Sequence, residues 1–236
     1  MKTTPEISII VPVLDEAAGI VATLEALAPL RARGVEVIVI DGGSADATPE
    51  LAEPLADRVI RSQRGRARQM NAGAAAAHGR TLLFLHADTR LPVRADELVA
   101  LAVGDVLAGP RWGRFDVRIE GRSIWLRVVA RMMNLRSRLT GIATGDQAIF
   151  VSREAFRAVG GFPEIPLMED IALSKILLRL NRPVCLAACV TTSGRRWETR
   201  GVWRTILVMW WLRLRYFYGA DPHRLALAYG YVPHES

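Results

Sequence analysis

Short apolar runs alternate with segments of helical spacing along the first 90 residues. Three of these runs are four to eight residues long and rich in aliphatic side chains, and they occupy residues 7–14, 35–40 and 81–85. Such runs predict strands that are buried on both faces. Because helix-like segments separate them, we expect parallel strands joined by right-handed crossovers, with their carboxyl ends at one edge of the sheet.

The same reading assigns the remaining elements. Helical spacing of Ile20, Leu24 and Leu27 within residues 17–31 predicts the first helix, and Thr48-Pro49 predicts the start of the next. Further helices are expected at residues 63–78, 94–107, 123–138 and 171–180, and further strands at 59–60, 113–121, 148–151 and 184–190. From Arg195 onward the chain is predicted to be mostly helical. The fold class expected is therefore α/β, with a mostly parallel sheet and a helical C-terminal segment.

The length and composition of the chain indicate the size of the domain and its charge. The chain has 236 residues, half of them hydrophobic, which suits one compact domain. Its net charge of +7 comes almost wholly from arginine, and the arginines are scattered rather than grouped, which argues against a nucleic-acid partner. The longest apolar run near the C-terminus, residues 206–212, is far shorter than the ~20 residues that span a bilayer. We expect a cytoplasmic protein that at most lies on a membrane surface.

Acidic residues follow all three buried strands. Asp15 and Asp41 come directly after the first two, and Asp88 follows the third within the sequence His86-Ala87-Asp88. In open α/β sheets the carboxyl edge holds the ligand, so these carboxylates predict a site for a polyvalent cation or for sugar hydroxyls. A second acidic pair, Glu169-Asp170, opens a predicted helix, where the helix dipole favours negative charge.

Taken together, these motifs resemble the family 2 glycosyltransferases with the GT-A fold, from residue 7 to about residue 229. The resemblance rests on the order and spacing of six segments, residues 7–16, 37–48, 68–73, 82–89, 145–161 and 169–170. It implies an inverting enzyme that moves a sugar from a nucleoside diphosphate sugar to an acceptor hydroxyl. Three later motifs, Gly145-Asp146-Gln147, Met168-Glu169-Asp170 and Arg195-Arg196-Trp197, look most like the short soluble branch associated with arsenosugar biosynthesis.

The resemblance also implies roles for single residues. Asp170 would be the general base, and Asp88 would hold Mg²⁺ or Mn²⁺ against the diphosphate, although His86 replaces the usual first acid of that motif. The implied nucleotide and donor residues are Pro12, Val13, Glu16, Asp41, Arg68, Asn71, His86, Asp88 and Arg196. The implied acceptor and donor-sugar residues are Asp146, Gln147 and Glu169. A structural histidine at the strand end and a solvated helix face explain His86 and Arg68 equally well.

Three sections of one domain are expected: a nucleotide-binding half (residues 1–108), an acceptor and catalytic half (109–192) and a C-terminal segment (193–236). In that segment Trp203, Trp210 and Trp211 are expected to pack on the domain, with peripheral membrane contact as the alternative. Two other functions remain open, a nucleotidyltransferase that forms sugar nucleotides and a basic nucleic-acid-binding module. The acidic sequence Asp15-Glu16 after the first strand disfavours the nucleotidyltransferase, which needs a basic phosphate loop there.

Overall fold

The computed structural model describes residues 5–104 and 111–231, apart from the side chains of Arg196 and Arg200. Its core is an eight-stranded sheet in the order β3-β2-β1-β4-β7-β6-β8-β5. The strands are β1 Ile7–Val13, β2 Glu36–Asp41, β3 Arg58–Arg61, β4 Thr81–Phe84, β5 Thr89–Arg90, β6 Trp112–Glu120, β7 Phe150–Ser152 and β8 Val184–Ser193. The helices are α1 Ile20–Ala32, α2 Thr48–Ala52, α3 Arg66–Ala76, α4 Ala95–Val103, α5 Ile124–Thr140, α6 Arg153–Ala158, α7 Glu169–Leu177, α8 Arg195–Arg200, α9 Val202–Phe217 and α10 Pro222–Tyr229.

The pairing of the strands confirms the expected α/β class. Strand β1 pairs in parallel with β2 and β4, and β2 pairs in parallel with β3. Strand β7 runs antiparallel to both β4 and β6, and β6 pairs in parallel with β8. The carboxyl ends of β1, β2 and β4 therefore meet at one edge, as the apolar runs predict.

Both faces of the sheet are buried, which explains why its central strands are continuous apolar runs rather than alternating ones. Ile9 and Val11 of β1 pack on one side with α1, whereas Ile10 packs on the other side with α3. The contact with α3 is close: a Cβ on Gly73 would lie 2.4 Å from Ile10 Cγ2. Helix α3 therefore lies near enough to the sheet to contribute side chains to the carboxyl edge.

Several details differ from the expectations. The two-residue β5 and the short α6 are additional elements, because neither carries a periodic pattern long enough to detect. The predicted helix over residues 94–107 is α4, which ends at Val103, and its last predicted residues lie outside the described part of the chain. Helix α7 begins at Glu169 rather than at residue 171, so both acids of the pair lie in its first turn.

The expectation that the C-terminal tryptophans pack on the domain holds only for Trp203, whose ring centroid lies 4.7 Å from that of Trp125 in α5. Trp203, Trp210 and Trp211 are 57%, 66% and 47% exposed. Helix α9 instead buries Leu212, which joins Met168 and Ile171 in a small apolar cluster. The helical period of α9 explains the exposure, because it places the tryptophans on the face of the helix that points away from α7.

Gln69 of α3 connects the ends of the two central strands. Its side chain is buried, and its Nε2 donates hydrogen bonds of 2.8 Å to the carbonyl oxygens of Val13 and Ile40. The Gly42 backbone lies directly against this amide, since a Cβ there would approach Gln69 to 3.0 Å. The amide thereby fixes the point where β1 and β2 turn into their loops.

We predict that Gln69→Leu lowers the free energy of unfolding by about 1–3 kcal/mol, because two buried carbonyl oxygens lose a donor. Urea denaturation measures the effect. Gln63→Leu, at an exposed position just before α3, is the matched control and should stay within about 0.5 kcal/mol of the parent. Equal stability of the two variants would show that the amide is not needed to hold the strand ends.

Candidate active site

The loops after β1 and β2 are bonded to each other at the carboxyl edge. The amide of Asp15 donates to Ser44 Oγ (3.0 Å), and the amide of Glu16 donates to Thr48 Oγ1 (2.8 Å). Two further bonds run between the same loops, from Ala45 N to Asp15 Oδ1 (2.8 Å) and from Ala17 N to Asp46 Oδ2 (3.0 Å). The first two loops therefore form one rigid wall of the site.

Asp41 lies at the base of this wall and is 3% exposed. Its carboxylate accepts hydrogen bonds from Gly43 N (3.1 Å), Ser44 N (3.0 Å) and Ser44 Oγ (2.5 Å). Gly43 has a φ of +90°, which glycine adopts without steric cost. The Asp41 carboxylate is therefore bonded to the turn that follows β2 and fixes its conformation. The backbone of that turn forms the surface of the site next to Asp41.

Other predicted donor residues lie close to this wall. Pro12 pairs with Ile40 and Val13 pairs with Asp41 at the last positions of β1. The side chain of Val13 is buried, so only its backbone and its apolar surface support the loop. Glu16 is partly exposed at the mouth of the loop.

Helix α3 supplies a different arginine from the one predicted. Arg66 Nη1 lies 3.4 Å from Glu169 Oε1, whereas the exposed Arg68 pairs with Glu164 at 3.2 Å. The side chain of Asn71 is also bonded outside the cleft, because its amide exchanges two hydrogen bonds of 2.9 Å with the backbone of Phe162. The geometry therefore favours Arg66 over Arg68 and Asn71 as the polar group of α3 that faces the site.

His86 and the turn Gly145–Gln147 lie against each other at the end of β4. His86 Nδ1 is 3.4 Å from Asp146 Oδ1, and a Cβ on Gly145 would lie 2.4 Å from the imidazole. The imidazole thus pairs with Asp146 and covers the glycine backbone. This contact supports the structural interpretation of His86 more directly than a role at a cation.

Gln147 does not reach the surface, contrary to its prediction as a substrate residue. Its side chain is fully buried, and its Oε1 accepts from Thr144 N (3.2 Å) while its Nε2 donates to Asn134 Oδ1 (3.3 Å). Asn134 in turn exchanges two hydrogen bonds with the backbone of Val117 in β6. Gln147 therefore fixes the turn that carries Asp146 to the sheet.

Asp88 is exposed beside the end of β8. Ser193 N donates to the Asp88 carbonyl oxygen (3.2 Å), which brings the start of the Arg195-Arg196 sequence next to Asp88. The side chain of Arg196 lies outside the described residues. Among the residues that the structure describes, no three His, Cys, Asp or Glu side chains come together as a metal site, so Asp88 is a single carboxylate. One carboxylate oxygen suits Mg²⁺ or Mn²⁺ only if substrate phosphates supply other ligands.

Glu169 and Asp170 open α7 between the two halves of the site. Asp170 Oδ2 accepts from Gly145 N (2.9 Å) and Oδ1 accepts from Ile171 N (2.7 Å), so the carboxylate has a fixed orientation. Burial raises the pKa of Glu169, the charge of Arg66 opposes that effect, and the Asp170 charge adds to it. Despite partial burial, the carboxylates of Glu169, Asp146 and Asp170 raise the pKa of Arg66. Charge on one group of this cleft therefore acts on all the others.

Backbone strain is concentrated at the same place. Four non-glycine residues in the described ranges have positive φ, and three of them border the site: Asp15 (54°), Ala148 (45°) and Met168 (70°). Each such conformation costs of order 1–3 kcal/mol and persists where surrounding contacts impose it, commonly at functional sites. Met168 directly precedes Glu169, so its strained backbone sets the direction in which α7 begins.

Two arginines that sequence analysis does not assign to the site lie within the electrostatic influence of Asp170. Arg136 of α5 and Arg213 of α9 carry buried nitrogen atoms, and both guanidinium groups are influenced by the Asp170 charge. Both lie in helices that the sequence marks as amphipathic and rich in arginine. Sequence alone does not distinguish them, because each helix has several arginines and only packing decides which one turns inward.

Comparisons with known proteins agree with this geometry. Residues 8–160 match the family described as "Glycosyl transferase family 2". Over 201 residues the chain is 35% identical to succinoglycan biosynthesis protein ExoO of Rhizobium meliloti (strain 1021), and the match covers 81% of this chain and 57% of ExoO. The chain thus spans little more than half the length of that relative.

Solved structures show the same fold. TarS residues 1–349 of S. aureus, in complex with UDP-GlcNAc, superpose with a TM-score of 0.65 at 19% identity, covering 80% of this chain and 58% of that TarS fragment. The mannosyltransferase PcManGT of Pyrobaculum calidifontis, in complex with GDP-Man and Mn²⁺, gives a TM-score of 0.59 at 24% identity, covering 80% and 57%. At these identities the likeness establishes the GT-A fold alone.

Proposed function

Since the chain belongs to glycosyl transferase family 2, we propose that it transfers a sugar from a nucleoside diphosphate sugar to an acceptor hydroxyl with inversion. The observation that carries the proposal is the position of Asp170. Its carboxylate lies at the start of α7, in a cleft that it shares with His86 and Arg66. Two proteins of the same fold, TarS and PcManGT, form complexes with sugar nucleotides, which supports this donor class.

Asp170 would act as the general base. Inversion requires one carboxylate that takes the acceptor proton while the acceptor oxygen attacks the anomeric carbon opposite the diphosphate. Hydrogen bonds from Gly145 N and Ile171 N hold both oxygens of Asp170, and each oxygen keeps a lone pair for that proton. Glu169 is 3% exposed and paired with Arg66, so an acceptor hydroxyl has less access to its carboxylate than to that of the half-buried Asp170.

The donor would lie between the first two loops and Asp88. We assign the nucleotide to the wall made of Pro12, Val13, Glu16 and the Asp41 turn. Asp146 would face the donor sugar, because it is 43% exposed beside His86 at the end of β4. Arg66 replaces Arg68 and Asn71 in this proposal, since the latter two are engaged with Glu164 and Phe162.

A divalent cation fits this donor site through Asp88. The Asp88 carboxylate is exposed, and its one hydrogen bond among the described residues is a 3.3 Å contact with the Thr89 hydroxyl, so its oxygens are available as ligands. When bound, Mg²⁺ or Mn²⁺ would neutralise charge that develops on the leaving diphosphate. The neighbouring Arg196 is proposed to add positive charge to the same group.

The assignments of the three sections of the chain, of the family branch and of the location are also proposals. We propose that residues 1–108 bind the nucleotide, that residues 109–192 supply the acceptor site and the base, and that residues 193–236 cover α7. Membership in the short branch associated with arsenosugar biosynthesis rests on the three sequence motifs named above. A cytoplasmic location is proposed from the shortness of the apolar runs in the sequence, the longest near the C-terminus being residues 206–212. Among the described residues, no helix has the length and apolar content needed to cross a bilayer.

Contact with a membrane surface is proposed through one face of α5 and α9. The exposed side of α5 carries Ile124, Val128, Met132, Leu135 and Leu139, spaced as one helical stripe. The two helices touch through Trp125 and Trp203, whose ring centroids are 4.7 Å apart, and the exposed side of α9 adds Leu207, Trp210, Leu214 and Phe217. Exposed Arg127 and Arg204 lie in the same helices, so the face combines apolar area with positive charge, as anionic lipid requires.

Asp170→Asn should lower single-turnover transfer by about 10²–10⁴-fold while nucleotide-sugar affinity stays close to that of the parent, because the amide keeps the shape but accepts no proton. Donor affinity is measured by calorimetry and transfer by rapid quench once an acceptor is known. Turnover within about tenfold of the parent would move the base elsewhere, with Asp146 the next candidate. Collapse of donor affinity would show that Asp170 organises the donor instead.

Asp88→Asn should remove the Mn²⁺-dependent part of nucleoside diphosphate affinity, because the amide is a much weaker ligand for a divalent cation. Calorimetry with UDP and GDP, each with and without Mn²⁺, gives the comparison. His86→Ala is the matched variant and should retain most of the Mn²⁺ effect, since its imidazole pairs with Asp146. If both variants lose the effect equally, His86 belongs to the cation site.

The double variant Trp210→Ser/Phe217→Ser should bind vesicles of anionic phospholipid at least about tenfold more weakly than the parent, because both rings are exposed on the proposed face. Leu101→Ser, at an exposed apolar position of α4, is the control and should bind as the parent does. Vesicle flotation measures the partition. Absence of parent binding, or a parent that is a dimer whose interface the double variant abolishes, would contradict membrane contact.

A further inference from the structure

Two arginines next to the proposed base have buried nitrogen atoms without a partner. Within the described residues, Arg136 Nε and Nη2 and Arg213 Nε have no hydrogen-bond acceptor. They come from different helices, α5 and α9, and their charges act on each other. Two unrelated elements therefore direct positive charge to the same place.

This arrangement is unfavourable while the buried nitrogen atoms have no hydrogen-bond acceptor. A buried donor without a partner destabilises the fold, and more so when the group is charged. Burial, and next the Arg213 charge, lower the pKa of Arg136 to about 10, which still leaves it protonated at neutral pH. Burial likewise lowers the pKa of Arg213. The fold thus holds two like charges together with less solvation than either has in water.

Two other arginines among the described residues, one buried and one half-buried, have hydrogen-bond acceptors. Arg114 of β6 is fully buried and donates to Ser137 Oγ (3.1 Å), to Asp116 and to the carbonyl oxygen of Asn134 (3.2 Å). Arg153 of α6 donates to the carbonyl oxygens of Ala77 and Gly79. The unpaired state of Arg136 and Arg213 is therefore particular to this place in the molecule.

Their position is on the acceptor side of the cleft. Leu212, the residue before Arg213, packs with Met168 and Ile171 on either side of Glu169-Asp170. The carboxylates that act on Arg213 are Asp170 and Asp146, and the one that acts on Arg136 is Asp170. Asp41 and Asp88, which mark the donor side, are not among them.

We propose that Arg136 and Arg213 together bind a phosphate or carboxylate group of the acceptor, next to the hydroxyl that Asp170 deprotonates. This inference rests on the proposed function for the role of Asp170, and it adds the chemical class of the acceptor. Guanidinium groups bind such anions through two parallel hydrogen bonds, and an anion between two of them satisfies both. The buried nitrogen atoms of Arg136 and Arg213, which have no partner in the described structure, would then donate hydrogen bonds to the anion in the acceptor complex.

The anionic group has two sources. A soluble phosphorylated or carboxylated compound would enter from solvent, whereas a lipid phosphate would approach along the exposed apolar face of α5 and α9, the helices that carry the two arginines. The shared chemistry is the anion itself, and the experiment separates the sources with glycerol 3-phosphate as one probe and vesicles that contain phosphatidic acid as the other.

The test titrates inorganic phosphate into the full chain, with and without saturating UDP, by calorimetry. The parent should bind phosphate in both conditions, and Arg136→Gln and Arg213→Gln should each weaken that binding by at least about tenfold, or about 1.4 kcal/mol. Arg131→Gln and Arg215→Gln are matched controls, because they are exposed arginines of the same two helices and should bind as the parent does.

The melting temperature measured without phosphate distinguishes an anion-binding role of Arg136 from a purely structural one. Arg136→Met should raise the melting temperature, because it removes an unpaired buried charge, while it also abolishes the stabilisation that phosphate gives the parent. Stabilisation by glycerol 3-phosphate assigns a soluble acceptor, and binding to phosphatidic acid vesicles alone assigns a lipid acceptor; either result supports the proposal.

Three results would overturn it. The first is a parent that binds no phosphate, and the second is phosphate binding by the glutamine variants that equals that of the parent. The third is displacement of phosphate by saturating UDP, which would assign the arginines to the donor diphosphate. Binding of UDP and of GDP is measured in parallel titrations, so a chain that binds phosphate but neither nucleotide contradicts the proposed function and leaves the anion site standing.

Discussion

Parallel pairing of β1 with β2 on one side and with β4 on the other is the constraint on which the site depends. Right-handed crossovers then place the loops after all three strands at one edge. The amide of Gln69 holds the ends of β1 and β2, and four hydrogen bonds join the loops that follow them. These bonds hold the two loops in fixed positions relative to each other before a ligand binds.

Charge in the cleft is arranged at a cost to stability. Glu169 is 3% exposed and is stabilised by Arg66, whereas Arg136 and Arg213 have buried nitrogen atoms that no described residue accepts from. Met168 adds a strained backbone directly before the acidic pair. Proteins commonly accept such costs where preorganised charge favours a ligand or a transition state. The distribution is uneven, since Arg114 in the neighbouring β6 is fully paired.

Helices α5 and α9 have a dual role. Their inner sides carry Arg136 and Arg213 toward the acidic pair of α7, and their outer sides carry exposed apolar residues that meet at Trp125 and Trp203. An acceptor that has an anionic group and an apolar body would match both sides of these helices. The proposed acceptor site and the proposed membrane face are therefore adjacent in the molecule, although each is tested by different residues.

Hydrophobic periodicity by itself determined most of the strands and helices, because continuous apolar runs and the spacing of Ile20, Leu24 and Leu27 carry enough signal. The order of the motifs also determined the family, which the comparison over residues 8–160 confirms. The individual donor and acceptor assignments stay predictions. Short elements such as β5 and α6 could not be predicted, since two to six residues hold too little periodic information.

Only the tertiary structure decided which polar side chains face the cleft. Arg66 and Arg68 differ by two positions on one helix, yet one pairs with Glu169 and the other with Glu164. Gln147 lies one residue from Asp146 and is fully buried, because the turn directs successive side chains to opposite sides. Sequence specifies the residue types and the spacing along the chain, but contacts between α3, α5, α7 and α9 depend on how the helices rotate when their apolar faces pack. That rotation, which no local pattern encodes, brought Arg136 and Arg213 to Asp170.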